Sequence, residues 1–382
     1  MTGDFNVYKS LHSFIANSAI LLTVLFLYAT PALAIHPEAK SEIENLEKRI
    51  EAIESQDISA TQFEDQTLDV GQIGKYITLH GLLEAAAFYA KPNNSEEESD
   101  LTLATAELSI EANLNEVIGG HITLLYEEKA GEEDDIDVDE AVISLASPNQ
   151  FFGQAPSFHA GRMYVPFGTF NSYMISDSLT LELGETQNTA ALFALAGDLW
   201  VFKTGIFNGE VDASGDDNHI DNFVASLELT PVANLAFGIS YINDLAESDN
   251  GLVQDVTLYS SNVAGASVFL SAQCGQFGLE LEYLTALDDF DSTLVAIGED
   301  LTGKRPEAWN IELTWMLAER VQLAARYEET DDFQDNVKRY GATATYGLYE
   351  HVVVALEYLR SDADVAVDDT VDVVTAQLAL EF

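Results

Sequence analysis

The stretch FGLELEYL, residues 277–284, alternates apolar and polar side chains without interruption. The apolar side chains, from Phe277 to Tyr283, fall on one face of an extended chain, and Glu280 and Glu282 fall on the other. Successive side chains of a β-strand point to opposite faces, so this stretch predicts a strand with one apolar and one charged face. The same period recurs elsewhere, as in LAFGISY (235–241) and WNIELTW (309–315).

Segments with this period follow one another from Lys75 to the end of the chain, separated by polar, turn-like clusters. Their number, about 16 at roughly 9 to 12 residues each, is typical of a transmembrane β-barrel whose connections are alternately short and long. We therefore predict an all-β fold, a transmembrane antiparallel β-barrel of about 16 strands that encloses an aqueous lumen.

A soluble β-sandwich would also alternate apolar and polar residues. Two features favour the barrel. Aromatic residues recur near the ends of the apolar faces, as in the interfacial girdles of membrane barrels. The chain also ends in VTAQLALEF (374–382), whose alternating apolar face finishes at Phe382. Because this ending resembles the closing-strand signal of bacterial outer-membrane proteins, we assign Phe382 to the closing strand.

The chain of 382 residues carries a formal net charge of −49, from 16 lysines and arginines and 65 aspartates and glutamates. Its 15 tyrosines, 20 phenylalanines and 3 tryptophans argue against a solvated acidic tail, since disordered acidic segments contain few aromatics. A strongly acidic protein attracts cations and repels nucleic acid. We therefore expect no nucleic-acid partner.

Residues 1–34 have the pattern of a cleaved secretory signal. Lys9 precedes an apolar run over 15–28, and Ala32-x-Ala34 supplies the small residues that a signal peptidase needs. The alternative is a membrane anchor, but a spanning helix needs about 20 apolar residues. We predict cleavage after Ala34, export, and a location in the bacterial outer membrane, in contact with its lipid.

Residues 35–56 contain two heptads with apolar residues at coiled-coil spacing, and isoleucine fills both kinds of core position, as at Ile43 and Ile50. This choice favours trimers over dimers. We expect a short periplasmic coiled-coil helix at 35–56, a linker at 57–73 and the barrel at 74–382, assembled as a homotrimer. Two heptads alone are marginally stable in water, so the alternative is a helix that folds back on its own domain.

The sequence offers no catalytic motif, since it lacks G-x-S-x-G and its histidines sit in no nucleophile–base motif. Its single cysteine, Cys274, cannot form an intramolecular disulfide or a redox pair. The acidic runs 131–140 and 212–221 are candidate calcium ligands, but neither matches a calcium-loop pattern, and such runs are typical of solvated loops. We predict that the protein is not an enzyme and requires no metal and no cofactor.

Transport through the lumen is the function class that remains. Charged residues that face lipid at mid-membrane are destabilising, so the glutamates opposite the apolar faces should point inward. Rings of carboxylates select cations. Alternatively, many of these glutamates lie above the membrane or pair with the few inward bases, for which Arg162, Lys203 and Arg326 are candidates. The candidate inward glutamates are Glu107, Glu111, Glu228, Glu280, Glu282, Glu312, Glu328 and Glu357, of which Glu280, Glu282 and Glu312 are the predicted pore residues.

The stretch GRMYVPFGTF (161–170) begins a longer motif. A Gly-Arg strand ends in Pro-Phe-Gly and is followed by a phenylalanine, an Ile-Ser-Asp turn and a Leu-Gly-Glu-Thr stretch. This order resembles the outer-membrane siderophore porins of the LbtU type, and the signal, short coiled coil and acidic barrel extend the resemblance over most of the chain. The motif occupies 161–162, 166–168, 170, 175–177 and 183–186.

The resemblance implies uptake of ferric siderophore, or of small solutes, by passive or facilitated diffusion without a plug domain. If the protein is a transporter, the alternative function is a general cation-preferring porin. If it is not a transporter, the alternative is a structural barrel that tethers the coiled coil. Many siderophores are polycarboxylates, which so acidic a chain should repel. A local basic track around Arg162, Lys203 and Arg326 could guide their entry, because fields decay over about 8 Å at physiological salt.

The Pro-Phe-Gly motif predicts a break in a strand. Pro166 has no N–H for a sheet ladder, and Gly168 permits a sharp bend. We interpret the break as the place where a barrel strand gives way to a pore-lining loop; the alternative is an ordinary periplasmic turn. The strand-break residues are Gly161, Pro166, Phe167 and Gly168.

Arg162 shares a strand face with Tyr164, and we predict that both point to the lumen because an arginine avoids lipid. The residues after the break could then fold inward and narrow the pore. The loop residues predicted near the pore are Ser176, Asp177, Glu185 and Thr186.

Overall fold

The computed structural model describes residues 74–382 apart from several short gaps. The predicted signal, coiled-coil helix and linker lie outside the described residues and stay predictions, and so do 131–134 and 212–218 of the two acidic runs. The gaps are 94, 129–134, 152–153, 212–218, 293, 295–300, 302 and 364–368.

Sixteen strands form a closed barrel in which each strand pairs antiparallel with its neighbours in the chain. The prediction of an all-β antiparallel barrel of about 16 strands is confirmed. The strands are β1 (Ile77–Pro92), β2 (Glu98–Asn113), β3 (Ile118–Tyr126), β4 (Ile136–Ala146), β5 (Pro156–Tyr164), β6 (Gln187–Ala196), β7 (Trp200–Phe207), β8 (Asn222–Val232), β9 (Leu235–Ile242), β10 (Gly265–Cys274), β11 (Phe277–Ala286), β12 (Glu307–Ala318), β13 (Val321–Asp331), β14 (Val337–Tyr349), β15 (Val352–Ala363) and β16 (Asp369–Glu381).

The barrel closes where the first strand meets the last. Leu83 pairs with Leu380 in the β1–β16 ladder. Gly81 and Phe382 then exchange backbone hydrogen bonds of 2.8 and 3.0 Å, which extends this ladder by one residue. The Phe382 ring covers Gly81, and a Cβ at position 81 would collide with it. The glycine therefore leaves the space that the terminal aromatic ring occupies.

Connections are short at one end of the barrel and long at the other. At the short-connection end they contain two to nine residues, and at the long-connection end five to 22. The three longest are 165–186, called the inner loop below, 243–264, called the β9–β10 loop, and 287–306. Among the described residues, no helix combines the length and the apolar character needed to span a membrane.

The outward face of the barrel is apolar and carries paired aromatic rings near both ends. Leu313, on the outward face of β12, is 58% exposed. Phe277 and Trp315 stack with ring centroids 5.9 Å apart toward the short-connection end, and Trp309 and Tyr327 lie 5.4 Å apart toward the other end. Two such bands are the pattern of interfacial girdles in membrane barrels.

The barrel interior near the long-connection end is packed with apolar side chains. Val224, Ile242 and Leu284 point inward and are fully buried. They form one cluster with Phe167 of the inner loop and with a short helix in that loop, α1 (Leu179–Gly184). Each side chain of this size contributes about 1.5–3 kcal/mol when it is fully buried. The inner loop is therefore part of a packed core inside the barrel.

Candidate functional site: the barrel lumen

The inner loop leaves the barrel wall at the Pro-Phe-Gly motif. The Val165 N–H still donates to the Thr186 carbonyl at 2.9 Å, whereas the next residue, Pro166, has no N–H to continue the ladder. Gly168 has a φ of +75°, a conformation that other residues rarely adopt, and its N–H donates to Ser240 Oγ on the inward face of β9 at 2.9 Å. The chain thus turns from the wall into the barrel.

Carboxylates of the opposite wall accept the backbone amides of the inner loop. Glu282 on β11 accepts hydrogen bonds from the N–H groups of Thr169 at 2.9 Å and Phe170 at 2.8 Å. Its neighbour Glu280 accepts one from the side-chain amide of Asn171 at 3.2 Å. These loop N–H groups have no strand or helix partner, so the carboxylates satisfy donors that would otherwise be buried without one.

The same arrangement continues on β12 and β15. Glu312 accepts hydrogen bonds from Ser172 Oγ at 2.7 Å and from the Tyr173 N–H at 2.5 Å. Glu357 accepts one from the Ile175 N–H at 2.5 Å. An ionised carboxylate is an acceptor only and has about four lone-pair sites, which suits it to a run of amide donors. The inner loop is therefore fixed along the β11–β15 wall.

Arg326 on β13 binds the turn that precedes α1. Its guanidinium donates to the Ser176 carbonyl and hydroxyl oxygens, both at 2.8 Å, and to the Asp177 carbonyl at 2.9 Å. It also pairs with Glu328 at 3.1 Å, with both side chains fully buried. Removing one member of a buried, hydrogen-bonded ion pair commonly costs about 3–5 kcal/mol, so Arg326 holds this turn firmly.

The α1 helix is anchored at its N-terminus and on its side. Ser178 caps it, and the Leu179 N–H donates to Glu328 at 2.7 Å. Arg339 on β14 pairs with Glu182 of the helix at 2.5 Å. Every residue of α1 is buried. The helix is thus enclosed between the wall and the neighbouring loops, and its carboxylate does not face the lumen water.

Most of the predicted pore residues of the inner loop and of the facing wall form this interface. Among them, Glu312 is 0% exposed and Arg326 is 3% exposed. Sequence alternation placed the wall residues on the inward face, where the structure also has them, but their carboxylates point at the loop. A pore role for these residues stays a prediction. Glu185 and Thr186 lie instead at the end of the loop, where their carbonyls accept the N–H groups of Asp249 at 2.8 Å and Val165 at 2.9 Å. The residues of the predicted set that meet in the interface are Ser176, Asp177, Glu280, Glu282, Glu312 and Arg326.

The structure places Arg162 differently from the predicted lumen position. Arg162 pairs with Ala141 and Thr189 in the ladders, and this register gives it the same face as Phe158, which is 43% exposed on the outside of the barrel. The physical reason is the position of Arg162 near the end of β5, where a side chain reaches water beyond the apolar band. There Arg162 also interacts electrostatically with the Asp139 carboxylate.

Tyr164, the partner predicted for Arg162, lies in a hydrogen-bonded cluster at the end of β5. Its hydroxyl donates to Asp139 Oδ1 at 2.9 Å, and the side-chain amide of Gln187 donates to the same oxygen at 2.8 Å. Asp249 of the β9–β10 loop accepts the Gln187 N–H at 3.0 Å. The cluster joins β4, β5, β6 and the β9–β10 loop at the long-connection end.

The β9–β10 loop is held by a second buried carboxylate. Glu247 accepts the N–H groups of Glu210 at 2.7 Å and Val211 at 3.1 Å. Burial raises the pKa of Glu247 from 4.5 to about 7, although these amide donors act to lower it. The pKa of Asp249 is likewise raised by burial to about 7. The contacts of this loop therefore depend on groups that titrate near neutral pH.

On the wall opposite the inner loop, from β1 to β7, inward side chains near the short-connection end reach solvent, whereas those nearer the long-connection end, such as Val142, Leu192 and Phe207, are buried in the packed core. His80 on β1, His121 on β3, His159 on β5 and Lys203 on β7 lie on inward register positions. The His80 side chain is 47% exposed and that of His121 is 33% exposed. Sequence analysis singled out Lys203 and missed the three histidines, although their inward positions follow from the same alternation.

No protein-family model matches the chain. Among curated proteins it is similar to the UPF0422 protein lpp3030 of Legionella pneumophila strain Paris, with 25% identity over 319 residues that cover 75% of this chain and 59% of that protein. A UPF0422 protein of Coxiella burnetii is 22% identical over 255 residues, which cover 63% of this chain and 53% of that one. The chain spans less than two thirds of the length of these relatives.

Solved structures of outer-membrane proteins share the fold. The outer membrane channel DcaP of Acinetobacter baumannii superposes with a TM-score of 0.60 at 11% identity, over 80% of this chain and 97% of that one. OmpF of Salmonella typhi superposes with a TM-score of 0.53 at 14% identity, over 80% of this chain and 97% of that one. The trimer form of OmpT of Vibrio cholerae superposes with a TM-score of 0.53 at 12% identity, over 80% of this chain and 99% of that one. At these identities the similarity shows a porin-like barrel.

Proposed function

We propose that this protein is an outer-membrane porin and that it admits ferric siderophore by passive or facilitated diffusion. The observation that carries the proposal is the one-sided position of the inner loop. The loop is bonded to the β11–β15 wall from Glu282 to Glu357, while His80 and Lys203 on the opposite wall are exposed inside the barrel. A narrowed but solvent-accessible passage is what a diffusion channel requires.

In this proposal the short-connection end faces the periplasm and the long-connection end faces the outside, as in other outer-membrane barrels. Solutes would enter past the β9–β10 loop and leave near the turns 319–320 and 350–351. There a cavity of about 450 Å³ is lined by residues that include Met316, Gln322 and Thr345. The trimer form of the similar OmpT supports a homotrimer as the assembly.

The siderophore as solute rests on the resemblance to LbtU-type porins and on the distribution of charge. The net charge of −49 disfavours anionic solutes, but several of the inward carboxylates do not face the passage. Glu312, Glu328 and Glu357 are 0–2% exposed and are occupied by the inner loop. The charges of these three carboxylates therefore lie against the inner loop and do not line the proposed passage.

A general cation-preferring porin is the second candidate function. Glu111 is 42% exposed on the inward face of β2, and Glu107 and Glu140 lie on the same open wall. Carboxylates at such positions attract cations. A structural barrel without a passage would instead require a filled lumen, which the exposed inward side chains do not favour.

Solute influx into liposomes that contain the purified full chain separates the two transport functions. The comparison is between a ferric siderophore with carboxylate groups and a neutral sugar of equal size. We expect faster, saturable entry of the siderophore, because a binding track enriches it at the passage. Entry at equal or lower rate would contradict siderophore selectivity and leave a general porin.

A further inference from the structure

The inward-facing basic residues of the described strands divide into two groups. Arg326 and Arg339 are buried against the inner loop. The other four, His80, His121, His159 and Lys203, line the open wall on β1, β3, β5 and β7. Each is the fourth residue of a strand that starts at the short-connection end. At about 3.4 Å per residue, these four side chains lie at a similar height, roughly 10 Å along their strands.

His159 lies between two hydroxyl groups. Ser144 Oγ is 2.9 Å from its Nδ1, and Ser157 Oγ is 2.9 Å from its Nε2. In the neutral imidazole one ring nitrogen donates to a serine oxygen and the other accepts from a serine O–H, so one of the two hydroxyls is free to donate elsewhere. The Lys203 ammonium is close enough to interact electrostatically with this ring. The group therefore presents the Lys203 ammonium together with a serine hydroxyl donor.

Lys203 supplies an unpaired ammonium in this region. Its side chain is exposed, and within the described part of the chain this ammonium forms no ion pair and no hydrogen bond. It pairs with Ser226 in the β7–β8 ladder, and Glu228 is the next inward residue on β8. By contrast, His121 pairs with Glu140 at 3.4 Å. An unpaired ammonium in a protein with so few basic residues is available to a ligand.

The inner loop opposite this wall presents no carboxylate to the passage. Its acidic side chains, Asp177, Glu182 and Glu185, are 1–9% exposed. Tyr173 is 41% exposed and uncharged, and Asn171 is partly exposed. An anion beside Lys203 would thus meet an uncharged surface across the lumen.

We propose that Lys203, His159, Ser144 and Ser157 form a binding site for anionic oxygen groups, in particular the carboxylates of a polycarboxylate solute. The site deepens the proposed function, because it supplies the point at which a siderophore carboxylate is held in the passage. An ammonium donor forms charge-assisted hydrogen bonds with carboxylates, which are about twice as strong as neutral ones.

Citrate binding to the full chain in detergent, measured by calorimetry at pH 7.5, tests the site. Lys203→Met should weaken binding by at least about tenfold, since it removes a charge-assisted contact. The matched control is Lys338→Met, which removes an ammonium that pairs with Glu329 at 3.1 Å on the outward face. The control should bind citrate as the native chain does. Absent binding, or equal binding by both variants, would overturn the proposal.

Sulfate binding at pH 7.5 tests the role of His159, because sulfate is a dianion with no titration of its own at this pH. His159→Leu should weaken sulfate binding by roughly two- to tenfold, since it removes the ring that orients the Ser144 and Ser157 hydroxyls. Unchanged sulfate binding by His159→Leu would remove His159 from the site.

The two proposals fail separately. If citrate binding depends on Lys203 but no solute enters the liposomes, the anion site stands and the porin function is rejected. If siderophore enters the liposomes but citrate does not bind, the porin function stands and the anion site is rejected.

Discussion

At the scale of single residues, the distinctive feature is that buried glutamates accept the hydrogen bonds of the loop amides. Glu312→Gln replaces one acceptor oxygen by an NH₂ donor that would oppose the Tyr173 N–H or Ser172 Oγ. A hydrogen bond to a charged group contributes about 1.5–3 kcal/mol, so exchange of the inner-loop amides should accelerate by roughly 10- to 100-fold. Amide hydrogen exchange of the inner loop measures this acceleration. Glu107→Gln on the opposite wall, whose carboxylate bonds Ser109, should leave the loop amides unchanged. Unaltered protection in Glu312→Gln would contradict the anchoring role.

The sequence could predict which face each of these residues occupies but not what it contacts. Alternation put Glu282 and Glu312 on the inward face, because period two fixes only the side of the sheet. The loop amide bonded by Glu312 lies 139 residues away in the chain, a distance over which no local pattern carries information. His159 was missed because nothing in its local sequence indicates its neighbours, which are known only once the strands are paired.

At the scale of elements, the β9–β10 loop should respond to pH. The raised pKa of Glu247, about 7 against 4.5, means that the closed loop binds more protons than an open one. Its contribution to closure is complete below about pH 4.5 and is lost as pH rises through about 7. Exchange of the Glu210 and Val211 amides, corrected for intrinsic rates, should therefore be slower at pH 5.5 than at pH 8. Glu247→Gln should lose this difference, and stronger protection at pH 8 would contradict the assignment.

At the scale of the whole molecule, the barrel was predictable because its energetics repeat in every strand. Apolar residues face outward in strand after strand, and closure leaves no free sheet edge, so one period specifies the architecture. The inner loop was predictable only in outline. The Pro-Phe-Gly motif marks where the ladder ends, but the path of residues 165–186 depends on the opposite wall. Arg162 shows the limit of the lipid-avoidance rule, which holds at mid-membrane and fails near strand ends.

The proposed function requires a continuous aqueous passage beside the fixed inner loop. Single-channel recording of the purified full chain in planar bilayers tests this requirement most directly, with folding of the same sample verified by the heat-modifiable mobility of the barrel on gels. We predict stable, stepwise conductance at neutral pH, since the loop is bonded to one wall and inward side chains of the other wall, such as His80 and Lys203, are exposed to solvent. Folded protein that inserts into the bilayer and yields no conductance steps would contradict the proposed function.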